Sequence, residues 1–431
     1  MVGLWLRTGV VLSREPVVQH RLSNGLNLVV AQDAELPLAG MALYYDVGAR
    51  DEEEGKTGFA HLFEHLMFEG SANVEKGAHF SMISGLGGQI NANTTQERTL
   101  YYASLPANQI DVVLWMEADR MRSLQVTEES FEHQRKTVLE ERKQRVDNVP
   151  YGLAREKFAQ ICFANSPYAH PVIGFEEDIV GARFEDVQRF HRRWYRPERA
   201  TLAVAGDVNP SAVIARVEEW FGDIESGQAH RALVHEEPAI RAAQKSIEAD
   251  RLARLSKVMI SHPAPSYGHS DFFAFEMAET LLLRGPSSRA WRTLVLEDRL
   301  AIGLAGGFTA RRCASRFVLS ATVERPEHMD RVVEAWQREI DRLLNEGVSE
   351  SEWNKALNQI RSSHVYRQQG VLTRALAVGR YSLMLDDPEW EDGYLETLAS
   401  LTVSEVLERL QKYLSSENRM EMHVVARGGQ A

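Results

Sequence analysis

The pentapeptide His61-Leu62-Phe63-Glu64-His65 sets two imidazoles and a carboxylate at a spacing that suits a single metal ion. On a helix, residues i and i+4 project from one face about one turn apart, so His61 and His65 can hold the same cation. Glu64 lies on the adjoining edge of that face. From there it reaches a metal-held water without being a ligand, as a general base working near neutral pH must. The order is the reverse of the commoner His-Glu-x-x-His. The bland alternative is a helix with two surface histidines. Against it, Leu62, Leu66 and Met67 make this helix strongly apolar, and unpaired polar side chains there would be costly.

A catalytic zinc usually takes three protein ligands and leaves one position for water, so a third ligand has to come from elsewhere in the fold. Val138-Leu139-Glu140-Glu141 offers two carboxylates on one helix, whose apolar stripe is set by Phe131, Val138 and Leu139. At about 100° per residue, Glu140 points nearly opposite that stripe and Glu141 falls near its border. Glu141 is the better ligand, and Glu140 reads as a solvated charge. His79 and His133 lie near the motif, but lone histidines are more often surface or core residues. Met116, Met121 and Trp115 read as packing on a helix. The acidic run 51–54 either favours the positive N-terminal end of the histidine helix or is a plain solvated loop.

The elements that must position these groups follow from periodicity. Residues 19–31 form a hairpin around Asn24-Gly25, followed by a strand at 41–47 and a helix over 57–68. A polar turn containing Gly85, Gly87 and Gly88 leads into a strand pair over 89–105, then helices over 110–122 and 128–145. The second half repeats this plan in degenerate form. Val126-Thr127-Glu128 before Phe131 is echoed by Val348-Ser349-Glu350 before Trp353, and Asp186-Val187, Trp194 and Glu198 by Glu405-Val406, Tyr413 and Glu417. Strand runs at 201–205 and 316–323, mixed with amphipathic helices, give an α+β fold. The expectation is two tandem homologous α/β domains, each a mixed sheet with helices packed on one face, together forming a half-chamber. Their bounds are 15–226 and 250–431, joined by a linker at 227–249 rich in Ala, Glu, His and Arg. A cleft between the two layers is where the chemistry is expected.

Composition narrows the class. The chain has 431 residues, 44% hydrophobic and 26% charged, and no apolar stretch approaches the roughly 20 residues of a membrane span. A net charge of −12 argues against a nucleic-acid partner, which would need a basic face. The 2 cysteines, Cys162 and Cys313, are too far apart in sequence to suggest a disulfide framework and read as buried thiols. Residues 1–14 are mildly apolar but interrupted by Arg7, so no signal peptide is read there. The default location is cytoplasmic, or periplasmic if a signal was removed.

These motifs resemble the pitrilysin, insulin-degrading enzyme and mitochondrial processing peptidase family, whose inverted motif defines the inverzincins. The resemblance runs over nearly the whole chain. Beyond the histidine helix and Glu141, it includes Leu22-Ser23-Asn24-Gly25-Leu26 and Asn91-Ala92 with Thr95, Glu97 and Tyr101-Tyr102. Further on it includes Pro171-Val172-Ile173-Gly174 and Ala205-Gly206-Asp207-Val208. It implies one zinc per chain on His61, His65 and Glu141, with Glu64 as base, and hence a zinc metalloendopeptidase acting on peptides or unfolded segments. It also implies that the strand around Asn91, Ala92 and Asn93 pairs with an extended substrate, as β-augmentation allows.

Two departures bear on mechanism. Two turns before the ligand glutamate the family often has a second acidic residue, and here that place is Gln134, which can orient the site only by hydrogen bonding. In the second half the aligned positions read Glu276, Glu279, Thr280 and Ser363, so no zinc is expected there. The family's substrate-clamping Arg and Tyr are replaced by Val295 and Ile302. The expectation is therefore a catalytic subunit paired with a homologous second chain that supplies the clamp, with a homodimer as the alternative arrangement. The rival from another class is a non-catalytic structural or processing-partner subunit of the same fold.

Overall fold

The computed structural model describes residues 15–227 and 242–428, so the N-terminal stretch 1–14 and most of the expected linker lie outside it. The first sheet contains β1 (Val18–Arg21), β2 (Asn27–Gln32), β3 (Leu38–Tyr45), β4 (Gln89–Thr94), β5 (Thr99–Pro106) and β6 (Ala200–Gly206). Its strand order is β1-β2-β6-β3-β5-β4, with β2 and β6 parallel and the other neighbours antiparallel. The second sheet contains β7 (Gln244–Asp250), β8 (Ser256–Ala264), β9 (Gly303–Thr309), β10 (Ser315–Val323) and β11 (Met420–Ala426). Its order is β7-β11-β8-β10-β9, again with one parallel pair, β7 with β11. From β2 onward the first sheet has the same connectivity as the second.

Two expectations need correction. Because β7 begins at Gln244 and pairs with β11, the last residues assigned to the linker belong to the second sheet. Nor do the helices cover only one face of each sheet. The central strands β2, β3 and β6 are near-continuous buried apolar runs, the pattern of strands covered on both sides. The main core packs α1 (Phe59–Leu66), α3 (Ile110–Ser123) and the helix Pro210–Phe221 on one face of the first sheet. The opposite face, with Val29, Ala31, Ala42, Tyr44 and Ala203, is covered by Ala375 and Val378 of the helix Val371–Leu385, from the second half. The exchange is reciprocal. Phe158 and Cys162 of α5 (Gly152–Cys162) pack against Met259, Met420, Met422 and Val424 of the second sheet. The halves are thus locked together by exchanged helices. Cys162 and Cys313 lie buried as free thiols within this shared core, as expected.

Burial also holds two histidines neutral. His79 and His262 are each 0% exposed, and desolvation pushes both down to about 3. His262 is anchored by Trp336, whose indole N–H donates to its Nε2 at 3.2 Å. An unfolded chain takes up these protons below about pH 6.5, whereas the folded one does not until near its depressed pKa. Stability should therefore fall as pH drops from 6.5, by about 2 kcal/mol per histidine at pH 5. The urea midpoint at pH 5 is expected well below that at pH 7; equal midpoints would show that these side chains charge freely in the native state.

Candidate metal centre

The helix α1 starts at Gly58, whose φ of 88° places it in the left-handed region that favours glycine. Gly174 packs directly against it, and a Cβ on Gly174 would sit 2.5 Å from the Thr57 carbonyl oxygen. The motif Pro171-Val172-Ile173-Gly174 therefore braces the start of the histidine helix. Arg142, the residue after Glu141, donates to the Gly174 carbonyl at 2.6 Å and to both oxygens of Glu156. The acidic run 51–54 resolves into a cap: Glu52 accepts from the Gly58 and Ala60 amides, each at 2.8 Å. Burial pushes the Glu52 carboxyl well above the usual range, and those two amides act against it.

Across from α1, the helix α4 (Glu128–Arg142) brings Glu141 to both histidines. Glu141 Oε2 lies 3.5 Å from His61 Nε2 and 3.3 Å from His65 Nε2. Two ligands bound at zinc distances in a tetrahedron are separated by about 3.3–3.4 Å, so the spacing matches three corners of one coordination sphere. The set suits zinc chemically as well, with two imidazoles and one carboxylate. Burial, helped by repulsion from His65, lowers His61 to about 4 and keeps it neutral, the form that binds metal. Burial also opposes charging of His65, but Glu141 outweighs it and holds His65 above its ordinary value, while the His65 hydrogen bond pulls Glu141 down. The other oxygen of Glu141 is held by Arg145 at 2.5 Å. Glu140 is exposed, as read from the helix phase, and pairs with Lys143; His133 is exposed as well.

Gln134 hydrogen-bonds to His65, and a carboxylate stands one residue further out. Its Oε1 accepts from His65 Nδ1 at 3.3 Å, and its Nε2 donates to Glu69 Oε1 at 2.6 Å. Glu69 is buried and tied in turn to Lys76 at 2.7 Å. Sequence reasoning missed Glu69, although it follows the histidine helix by one turn. The relay fixes the His65 ring with Nε2 toward the centre. Replacing Gln134 with Ala, or Glu69 with Gln, is expected to weaken zinc binding by about 10- to 100-fold in a competition titration with a chromophoric chelator. An unchanged affinity in both variants would remove the relay from the account.

Glu64 points beside the ligands and accepts from the Thr94 hydroxyl at 2.6 Å. Burial raises its carboxyl above the ordinary range, partly offset by Thr94, which moves it toward the value a general base needs. Thr94 ends β4, which among the described residues is an edge strand paired on one side alone. Asn91 is exposed, and its side chain accepts from the Ala92 amide at 2.8 Å, so that amide points away from β5. Asn93 is gripped by Arg98 through both its carbonyl and its side chain. The turn linking β4 to β5 is held by Ala49 and Arg50, whose amides donate to Thr95 and Gln96 at 3.1 Å each. Glu97 in that turn accepts from the Tyr168 hydroxyl at 2.5 Å, pairs with Arg50 at 3.0 Å and accepts from the Arg312 amide at 3.0 Å.

The partners of the three-ligand set all come from the first half, so this centre is not built between the two layers of the chain as the sequence suggested. Among the described residues, Arg312 of the second half touches the β4–β5 turn, its amide donating to Glu97. At the aligned helix Phe272–Leu282, Glu276 accepts from the Tyr394 hydroxyl at 2.9 Å and Glu279 accepts from the Phe308 amide at 2.9 Å, both structural roles. Ile302 is 55% exposed. One other group of potential ligands occurs among the described residues, Asp330, Glu421 and His423. There the Lys245 ammonium already sits 2.5 Å from Asp330 and 3.3 Å from Glu421.

A tandem mixed-sheet fold carrying an inverted His-x-x-Glu-His centre defines a class of zinc metallopeptidases. Residues 28–175 match the model described as insulinase, peptidase family M16, and residues 182–360 match the model described as peptidase M16 inactive domain. The chain belongs to peptidase family M16. It is 31% identical over 283 residues to zinc protease PqqE of Helicobacter pylori, an alignment covering 65% of this chain and 64% of that protein. It is 24% identical over 388 residues to a probable mitochondrial-processing peptidase subunit beta of Arabidopsis thaliana, covering 86% of this chain and 71% of the other. The fold is shared with a solved Helicobacter pylori protease at a TM-score of 0.90 and 24% identity, covering 96% of this chain and 100% of that one. It is shared also with the M16 inactive domain protein of Pseudomonas fluorescens at a TM-score of 0.87 and 17% identity, covering 96% and 98%. Among the described residues no helix is long and apolar enough to cross a membrane.

Proposed function

We propose that this chain is a catalytically competent zinc endopeptidase that cleaves peptides or unfolded segments. The observation that carries the reading is the convergence of His61, His65 and Glu141 at tetrahedral spacing with Glu64 beside them. When bound there, zinc acidifies water and polarises the scissile carbonyl. Glu64 takes the proton of the attacking water and returns it to the leaving amine, with Thr94 fixing its carboxylate. The open edge of β4 at Asn91, Ala92 and Asn93 holds the substrate backbone by strand addition, which selects extended segments over folded ones. The inactive-domain match spans residues 182–360 and so begins after His61, Glu64, His65 and Glu141, while Glu276 and Glu279 within it have structural roles.

In this reading the chain works with a second, homologous chain. Val295 and Ile302 stand where the family places its clamping Arg and Tyr, so grip on the substrate has to come from a partner. A relative named as a subunit of a processing peptidase supports a paired assembly. The test is peptide cleavage by the purified chain, alone and with a co-encoded homologue, before and after chelation and zinc restoration. Zinc-dependent cleavage that rises on adding the homologue supports both parts. Full activity without the homologue overturns the pairing, and a metal-free, inactive chain favours the non-catalytic subunit.

A further inference from the structure

Arg98 leaves the turn beside β4 and lies half-buried. Its Nη1 donates to the Asn93 carbonyl at 3.1 Å and to the Asn93 side chain, and its Cζ stands 5.6 Å from the centroid of the Tyr44 ring. Those contacts occupy one terminal nitrogen and one face. Its Nε and Nη2, the edge by which a guanidinium takes a carboxylate side-on, have no protein partner among the described residues. Burial holds Arg98 below the ordinary arginine range, and Arg380 adds to that depression. A cation withdrawn from water without a paired anion is unfavourable, unless another molecule supplies the anion.

The second cation comes from the other half of the chain. Tyr44 packs against the helix Val371–Leu385 so closely that a Cβ on Gly379 would lie 2.7 Å from Tyr44 Cε2, and its hydroxyl donates to the Leu376 carbonyl at 2.7 Å. Arg380 follows Gly379 and is exposed, and its one hydrogen bond among the described residues goes to the Tyr381 hydroxyl at 2.9 Å. No carboxylate lies within ion-pair distance of either arginine among the described residues, although Glu64 and Glu391 act on them at longer range. A chain of net charge −12 thus presents two guanidiniums with no ion-paired carboxylate among the described residues, one over the Tyr44 ring and the other next in sequence to the glycine that packs on that ring.

Their position relative to β4 gives them a use. Side chains alternate across a strand. Thr94 turns toward Glu64 and the metal centre, so Asn93 turns to the other face, where Arg98 meets it. A peptide added to the free edge shows alternate side chains to the same two faces. We propose that Arg98 and Arg380 form a carboxylate-binding subsite beside β4, which takes an acidic side chain or the C-terminal carboxylate of the peptide substrate. This rests on the peptidase reading of the neighbouring centre.

The test compares isosteric peptide pairs in kcat/KM. One series places Glu or Gln at successive internal positions around the cleavage site, and the other ends in a free or an amidated C-terminus. The wild-type chain, with its homologue where that is needed for activity, should favour the carboxylate member of a pair by about 10- to 100-fold at one position. The Arg380→Gln and Arg98→Lys variants, checked for native circular dichroism, should bring that ratio close to unity. A preference in the internal series assigns the subsite to a side chain, and one in the terminal series assigns it to the chain end. If the wild type cleaves Gln and amidated peptides as well as their acidic partners, or if a preference survives in Arg380→Gln, the subsite is wrong while the peptidase stands. Failure to cleave either member overturns both.

Discussion

Glu64→Gln is expected to lower kcat for a quenched fluorescent peptide by about 10²- to 10⁴-fold while leaving the zinc content unchanged. The amide retains an oxygen that can accept from Thr94, now 2.6 Å from the carboxylate, so the side chain should keep its place and lose only its basicity. KM should change little, because strand addition along β4 does not involve Glu64. This separates a base from a residue that merely shapes the site. A variant within tenfold of wild type would mean that another group moves the proton.

His65→Ala acts at the level below, on whether the centre exists at all. His65 is a ligand, the hydrogen-bond partner of Glu141 and the end of the relay through Gln134 to Glu69. Its loss leaves His61 and Glu141 as a two-ligand site, insufficient for a catalytic zinc. Zinc content should drop from about one equivalent to a small fraction, and cleavage should fall by roughly a thousandfold or more. Folding should persist, because α1 is anchored by Leu62, Phe63 and Leu66, each no more than 1% exposed. Full zinc content in this variant would place the metal elsewhere.

The parts of this site that were legible in the sequence are those fixed by local geometry. His61, Glu64 and His65 share one helix, so their spacing alone defines their relation. Glu141 could be chosen over Glu140 because helix phase decides which carboxylate faces inward. The strand pair over 89–105 was read as following the polar, glycine-rich turn, and β4 and β5 fall within it. Glu69 was not legible: its role depends on the turn after α1 folding back toward Gln134 of a distant helix, a contact with no local signature. The same holds for Glu52, which the run 51–54 left open between helix cap and solvated loop, and which distances to Gly58 and Ala60 settle as a cap. The helix α2 (Ala78–Gly85) was also missed, because the glycines after it drew the whole stretch into a turn.

At the level of the fold, the duplicated order was readable and the exchange of helices was not. A signal for the exchange did exist. The run Leu28-Val29-Val30-Ala31 and the strand Ala200–Gly206 lack the alternation of a sheet with one wet face, and read strictly they demand cover on both sides. What sequence periodicity cannot say is that the cover comes from the opposite half. The parallel pairing of β7 with β11 is similarly long-range, which is why residues from Gln244 onward passed for linker.

The account stands or falls on the identity of the metal centre. Titrating the chain with zinc and recording X-ray absorption at the zinc edge tests it directly. The prediction is saturation at about one equivalent, with a first shell of nitrogen and oxygen at about 2.0–2.1 Å that includes two imidazoles and is lost in His65→Ala. Absence of stoichiometric binding, a sulfur shell at about 2.3 Å, or a spectrum unaltered in His65→Ala would contradict it.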